Sequence, residues 1–211
     1  LKYTTSSNAG FITGLSVVLV PILYSAINQI KPSFNTILTV MLAFSGLFLM
    51  SFTDWHTSLS YGDMLVLVSA IGFAFHIIFV DRLSYRHNAI AITSVQVLFV
   101  GLFCMLVGLV AEPWPLRFSS SLIAALLITS IFATALAFLL QNSMQKYSTP
   151  TRFAVILTTE PVFAALAGYF WAHEAFSQRA LAGAVLILAA MLISILSQKK
   201  SPVPARQTGQ I

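Results

Sequence analysis

The stretch AIAITSVQVLFVGLFCMLVGLVA, residues 89–111, decides the fold. It holds 23 residues and no Asp, Glu, Lys or Arg. As an α-helix rising about 1.5 Å per residue it extends about 35 Å, enough to cross roughly 30 Å of bilayer hydrocarbon. The same pattern recurs on both sides of it. Reading from charge to charge gives further spans over Ala9 to Ile27, Thr36 to Phe52, Met64 to Val80, Leu122 to Gln141, Phe153 to Ala172 and Ala180 to Ser197. Only 8% of the 211 residues are charged, against roughly 25% in a soluble domain. The expected fold is therefore an all-α, polytopic membrane bundle with seven transmembrane helices.

The links between spans are short and carry breakers and caps: Lys31-Pro32-Ser33, Asp54 to Gly62, Arg86-His87-Asn88, Glu112 to Pro115, Ser148-Thr149-Pro150 and Ser177-Gln178-Arg179. The net charge of +5 resides in these links instead of one basic patch, which argues against nucleic acid as a partner. Cys104 is the single cysteine, so no intrachain disulfide can form.

Positive loops are retained on the cytoplasmic side. With the C-terminus inside, the inner ends hold Lys31, Arg82, Arg86, Lys146, Arg152, Lys199, Lys200 and Arg206, and the outer ends hold Lys2, Arg117 and Arg179. The alternation supports a multi-pass membrane protein with a cytoplasmic C-terminus. Trp55, Trp114 and Trp171 then fall at the outer interface, as belt residues do. An odd number of spans leaves the N-terminus outside, and no signal peptide explains that, so the chain is expected to begin partway through a longer protein. Residues 199–211 have the composition of a disordered cytoplasmic tail.

The first two and last two spans share a layout, Tyr-x-Thr followed by an apolar span with a proline, a polar turn and a span rich in small residues. An offset of 144 residues keeps these blocks in phase, with Tyr3, Thr5, Ile12 and Val18 matched to Tyr147, Thr149, Ile156 and Val162. The match is one of pattern more than identity. The offset covers five helices, an odd number, so successive copies face opposite ways across the membrane. Inverted repeats of this kind build transporters with a substrate site near the midplane.

Residues 136–194, with Gln141 to Tyr147, then Glu160-Pro161-Val162-Phe163-Ala164-Ala165-Leu166, His173-Glu174 and Ala182 to Ile187, resemble the closing helices of an EamA-type transporter of the drug/metabolite transporter superfamily. Tyr3 to Ala9 followed by Leu19-Val20-Pro21 resembles the fourth helix of the same family. The resemblance implies ten helices in two inverted five-helix halves, of which this chain holds the fourth to tenth and lacks the first three. Residues 1–55 are then the last two helices of the first repeat, 56–198 a complete second repeat and 199–211 the tail. It further implies a secondary transporter of the plasma (inner) membrane, an exporter or exchanger of small metabolites or drugs, driven by protons or another gradient. One departure is Ile30, which stands where the second half has Glu174.

Glu160 is the only formal charge well inside a span, and an intramembrane carboxylate is a functional signal by default because its burial costs about 2.5–3.5 kcal/mol. Pro161 beside it removes a backbone donor and frees carbonyls one turn back. His76 belongs to the one residue type whose charge ordinarily changes near neutral pH. Gln96, Gln141 and Asn142 are amides that either line a cavity or tie helices together. Thr13, Ser16 and Tyr24 share one side of the first span, with Ser16 at the repeat position of Glu160. The candidate substrate or coupling residues are thus Glu160, His76, Gln96, Ser16, Thr13, Tyr24, Pro161 and Asn142. Small residues at helix-contact spacing mark packing seams: Ala125, Thr129, Ala133 and Ala137; Gly101 and Gly108; Gly183, Ala190 and Ser194.

No His or acid spacing reads as a metal site and no phosphate-binding loop is present, so neither metal nor other cofactor is expected. The expected partners are a small-molecule substrate, protons and membrane lipid, with a homo-oligomer left open. A seven-helix receptor or sensor is the alternative, although no span carries a lysine for retinal. An enzyme is not expected, since Glu160 and His76 do not make a catalytic constellation.

Overall fold

The computed structural model describes residues 3–4, 6–51, 60–111, 119–171 and 177–197. Most of these residues are helical, with no strand among them: α1 (Ser6–Gly14), α2 (Ser16–Asn28), α3 (Phe34–Ser51), α4 (Tyr61–Ser84), α5 (Ala89–Ala111), α6 (Ser120–Ile128), α7 (Ala137–Gln145), α8 (Pro150–Leu157), α9 (Glu160–Trp171) and α10 (Gln178–Leu196). A π-helical segment, Thr129–Leu136, joins α6 to α7. Seven spans result that are long and apolar enough to cross a membrane: Ala9–Asn28, Phe34–Ser51, Tyr61–Ser84, Ala89–Ala111, Ser120–Gln145, Pro150–Phe170 and Gln178–Leu196. Each agrees with its expected span to within four residues at either end. Trp55, Trp114, the Trp171 side chain, His56, His173, Glu174 and the tail 199–211 lie outside what is described.

Polar residues at the span ends set where the helices start. A helix leaves its first N–H groups without intrahelical partners, and short oxygen-bearing side chains accept from them. The Ser33 hydroxyl accepts from the Thr36 N–H at 3.3 Å, Ser119 from Leu122 at 3.2 Å and Ser177 from Ala180 at 3.1 Å. Asn88 Oδ1 accepts from the Ile90 N–H at 3.1 Å. At α4 the exchange is reciprocal, a capping box: Ser60 Oγ accepts from the Asp63 N–H at 3.2 Å, and Asp63 Oδ2 accepts from the Ser60 N–H at 2.8 Å. Asp63 also takes a short bond from the Thr4 hydroxyl, and Ser60 Oγ donates to the Tyr3 carbonyl at 2.7 Å. The start of the first span therefore lies beside the start of the third, as the alternation of loops requires.

Two compact units divide the chain, one of residues 1–77 with 150–211 and one of residues 78–149. The first is organised around α3 and α10. Gly46 faces Gly183, and a Cβ added to either would sit 2.5–2.6 Å from the other's carbonyl oxygen. Low-numbered residues of α3 meet high-numbered residues of α10, as Val40 and Ala43 with Ala190 and then Leu47 with Ile187 and Ala184 show, so the two helices run antiparallel. In hydrocarbon, close contact of small residues is what drives helices together. Val17 of α2, with Val155 of α8, completes one cluster, and Val162 of α9 the other.

The second unit comprises the end of α4, then α5, α6, the π segment and α7. Its spans leave most of their apolar surface exposed among the described residues. Expected seams divide accordingly. Gly183, Ala190 and Ser194 are buried, Gly183 and Ala190 against α3. Ala125, Thr129, Ala133 and Ala137 are exposed, and a Cβ at Gly101 or Gly108 would meet nothing within 4 Å. Small size permits close approach but does not supply the neighbour.

Candidate functional site

Two of the seven spans are broken near their middle. In the first, α1 ends at Gly14 and α2 starts at Ser16. The turn between them is tightened: the Leu15 N–H donates to the Ile12 carbonyl at 3.1 Å, and the Val18 N–H to the Leu15 carbonyl at 2.9 Å. In the sixth, α8 ends at Leu157 and α9 starts at Glu160. There the Thr159 N–H donates to the Ile156 carbonyl and the Val162 N–H to the Thr159 carbonyl, both at 3.0 Å. Positions 12, 15 and 18 recur at 156, 159 and 162, the 144-residue offset, and both pairs of outer residues are identical, Ile12 with Ile156 and Val18 with Val162. The starts of α1 and α8, of α2 and α9, and of α3 and α10 follow the same offset, as do the capping serines Ser33 and Ser177.

Glu160 and Ser16 each open the second half of their broken span. Glu160 is exposed, its carboxyl in the first turn of α9 at the positive end of the helix dipole, and it makes no hydrogen bond or ion pair among the described residues. Ser16 is buried. Pro161 occupies the second position of α9, where a missing N–H costs no intrahelical bond; the interruption precedes the proline instead of being a bend within a continuous helix. The Thr158 and Thr159 hydroxyls donate back to the Val155 and Ile156 carbonyls at 2.6 and 2.7 Å. These hydroxyls supply donors at a point where the ladder is interrupted, which is how a broken helix is tolerated at membrane depth.

The other expected residues fall apart from one another. Thr13 belongs to α1 and is exposed, whereas Ser16 and Tyr24 belong to α2 and are buried and half-buried. Leu15 between them keeps right-handed helical dihedrals, φ −57° and ψ −18°. His76 is half-buried in α4, its ring stacked on Phe73 one turn earlier with centroids 5.8 Å apart and planes 19° from parallel.

In the second unit the structure joins Gln96 to Asn142. The Asn142 side chain is 1% exposed; its Nδ2 donates to Thr93 Oγ1 at 2.9 Å and to Gln96 Oε1 at 3.2 Å. Thr93 in turn donates to the Ala89 carbonyl at 2.8 Å, which fixes the direction of the chain of bonds and the orientation of the amide. Asn142 Oδ1 has no hydrogen-bond partner among the described residues. Thr93 was absent from the sequence candidates, although its spacing of three from Gln96 puts both on one face of α5. No group of three or more His, Cys, Asp or Glu that could hold a metal occurs among the described residues.

Residues 60–196 match the model of the EamA-like transporter family. Over 193 residues the chain is 33% identical to one Archaeoglobus fulgidus protein described as an uncharacterized transporter, and 25% identical to a second of the same organism and description. The matches take in 92% of this chain but 61% and 69% of those proteins. A protein known from a crystal structure is similar in fold, with a TM-score of 0.77 at 15% identity over 92% of this chain and 69% of that one.

Proposed function

Because the chain belongs to the EamA-like transporter family, we propose that it works in a secondary transporter that exports or exchanges small metabolites or drugs across the plasma (inner) membrane by alternating access. The observation that supports this most directly is the pair of helix breaks repeated at an offset of 144 residues, because discontinuous helices at equivalent places in two inverted copies are how such transporters build a midplane site. On this reading residues 1–55 close a first five-helix repeat, 56–198 form the second, and the C-terminus is cytoplasmic.

Within that frame each polar group has a task. Glu160 faces a wetted path, since a carboxylate held against acyl chains would cost about 2.5–3.5 kcal/mol. It takes up the coupling proton or a cationic group of the substrate. Ser16 is its uncharged counterpart in the first repeat. The amides of Gln96 and Asn142, with Thr93, form a second polar point on α5 and α7, and His76 with Phe73 offers a ring stack for an aromatic or planar substrate. Rocking about the α3–α10 contact changes which side of the membrane these groups face.

The experiment is proton flux in proteoliposomes loaded with a pH-sensitive dye and challenged with a panel of amino acids and small cationic drugs. Wild type should move protons with at least one of them, and Glu160→Gln should insert normally and lose that coupling. Normal pH-dependent flux in Glu160→Gln refutes the role given to Glu160. Silence of the wild type across the panel removes proton coupling from the proposal.

A further inference from the structure

A small polar cavity of about 160 Å³ lies where the first turns of α3 and α8 meet the last turn of α10. Ser33, Thr39, Thr151, Arg152, Ser194 and Ser197 are among its lining residues, and none of the described lining residues is acidic. A water takes about 30 Å³ of liquid, so the space holds about five waters. Drug-sized ligands need about 300–1,000 Å³, so this is no compartment for a transported drug. It suits one compact polar group.

Two helix N-termini, one helix C-terminus and a basic residue border the cavity. The N-terminal ends of α3 and α8 each carry about +0.5 of a charge, the C-terminal end of α10 about −0.5, and Arg152 adds a full positive charge. Two side chains are left wanting a partner. Thr151 is 8% exposed and Ser194 4% exposed, both line the cavity, and neither hydroxyl makes a hydrogen bond among the described residues. Ser33 and Thr39, by contrast, are engaged: Ser33 pairs with Thr36, and the Thr39 hydroxyl donates to the Asn35 and Thr36 carbonyls at 3.0 Å. Both side chains are more than nine-tenths buried yet open onto the cavity, so a group seated there can take their hydroxyl hydrogen bonds.

We infer that this cavity binds a phosphate-type oxyanion. Its oxygens accept from the Arg152 guanidinium, whose planar fork matches an oxyanion better than a point charge does, and from the Thr151 and Ser194 hydroxyls. The cavity sits at the ends of three membrane spans, the level at which lipid headgroups lie. The group therefore comes either from an anionic lipid or from free phosphate, and both present the same oxygens. The inference does not depend on the transport reading, since it uses only residues of the cavity.

Native mass spectrometry of the detergent-purified protein with added phosphatidylglycerol or phosphatidylcholine tests the lipid source, and thermal stabilisation by inorganic phosphate tests the free one. Arg152→Gln and the near-isosteric Thr151→Val/Ser194→Ala double variant should each weaken retention in the responding arm by about tenfold or more, the usual weight of charge-assisted bonds. Lys146→Gln, a cation outside the cavity, should change nothing. Response to phosphatidylglycerol over phosphatidylcholine assigns the site to a lipid headgroup, and response to phosphate alone assigns it to a free anion. If wild type responds in neither arm, or both cavity variants bind as wild type does, the inference is overturned.

Discussion

Replacing Gly46 or Gly183 by alanine tests the contact on which the first unit is built. At Gly46 a Cβ would meet the Gly183 carbonyl oxygen at 2.6 Å, Ile187 Cγ1 at 2.8 Å and the Ile187 nitrogen at 3.0 Å. At Gly183 it would meet the Gly46 oxygen at 2.5 Å, Met50 Cγ at 2.7 Å and the Met50 nitrogen at 3.0 Å. Ordinary contact begins at 3.4 Å, and the nearest obstacles are backbone, so α3 and α10 must part by 0.8–0.9 Å. A gap of that size forfeits a quarter to a half of the contact energy along the seam, and overpacking of this kind costs about 1–3 kcal/mol. Gly72→Ala is the control, because nothing lies within 4 Å of a Cβ there and alanine in a helix is favoured over glycine by up to about 1 kcal/mol. Thermal unfolding in detergent should place G46A and G183A below wild type and G72A level with it or above. The same separation relieves both clashes, so the double variant should lose less than the sum of the singles. Equal stability of G46A, G183A and G72A would refute the close crossing.

Asn142→Leu removes both Nδ2 bonds and leaves Gln96 Oε1 and Thr93 Oγ1 without that donor; unfolding should show a loss of about 1–3 kcal/mol, and adding Thr93→Val should cost little more. The π segment Thr129–Leu136 holds one residue beyond what α geometry needs, as the Thr134 hydroxyl bonded to the Thr129 carbonyl five residues back illustrates. Deleting Ile131 should therefore close it as plain α-helix with α7 in phase, and a Cys pair at 96 and 142 should still crosslink. Loss of that crosslink would show that the π turn sets the face of α7. Pro161→Ala restores an N–H able to donate to the Leu157 carbonyl, and should raise stability while slowing transport; unchanged flux would make the break dispensable.

The spans were legible because hydropathy over about 20 residues reports burial in hydrocarbon, and the charged links left their ends little freedom. Finer features were not. The π segment lies in a stretch apolar on every side, where a period of 3.6 cannot be told from a wider one over eight residues. The turn at Leu15 carries no proline or terminal glycine signal strong enough to separate it from a continuous helix, since Gly14 is tolerated within one. Gln96 and Asn142 were readable as intramembrane polar residues, but their pairing depends on how α7 is turned by the π segment before it. Glu160 was found as a charge, while its place at a helix start required the backbone.

The two breaks are alike in position but not in chemistry. At both, a regular bond follows the step, from the Leu19 N–H to the Leu15 carbonyl at 3.0 Å and from the Phe163 N–H to the Thr159 carbonyl at 3.1 Å, and at the first the Leu15 N–H also reaches the Phe11 carbonyl at 3.2 Å. At the second, Pro161 offers no donor to the Leu157 carbonyl, two threonine hydroxyls compensate within the preceding turn, and a carboxyl stands beside them. A backbone group left unpaired in hydrocarbon costs several kcal/mol, so the second break is tolerable at depth only where water, an ion or a substrate reaches it. Ser16 accordingly stands buried and neutral at the first step, where Glu160 stands exposed and acidic at the second.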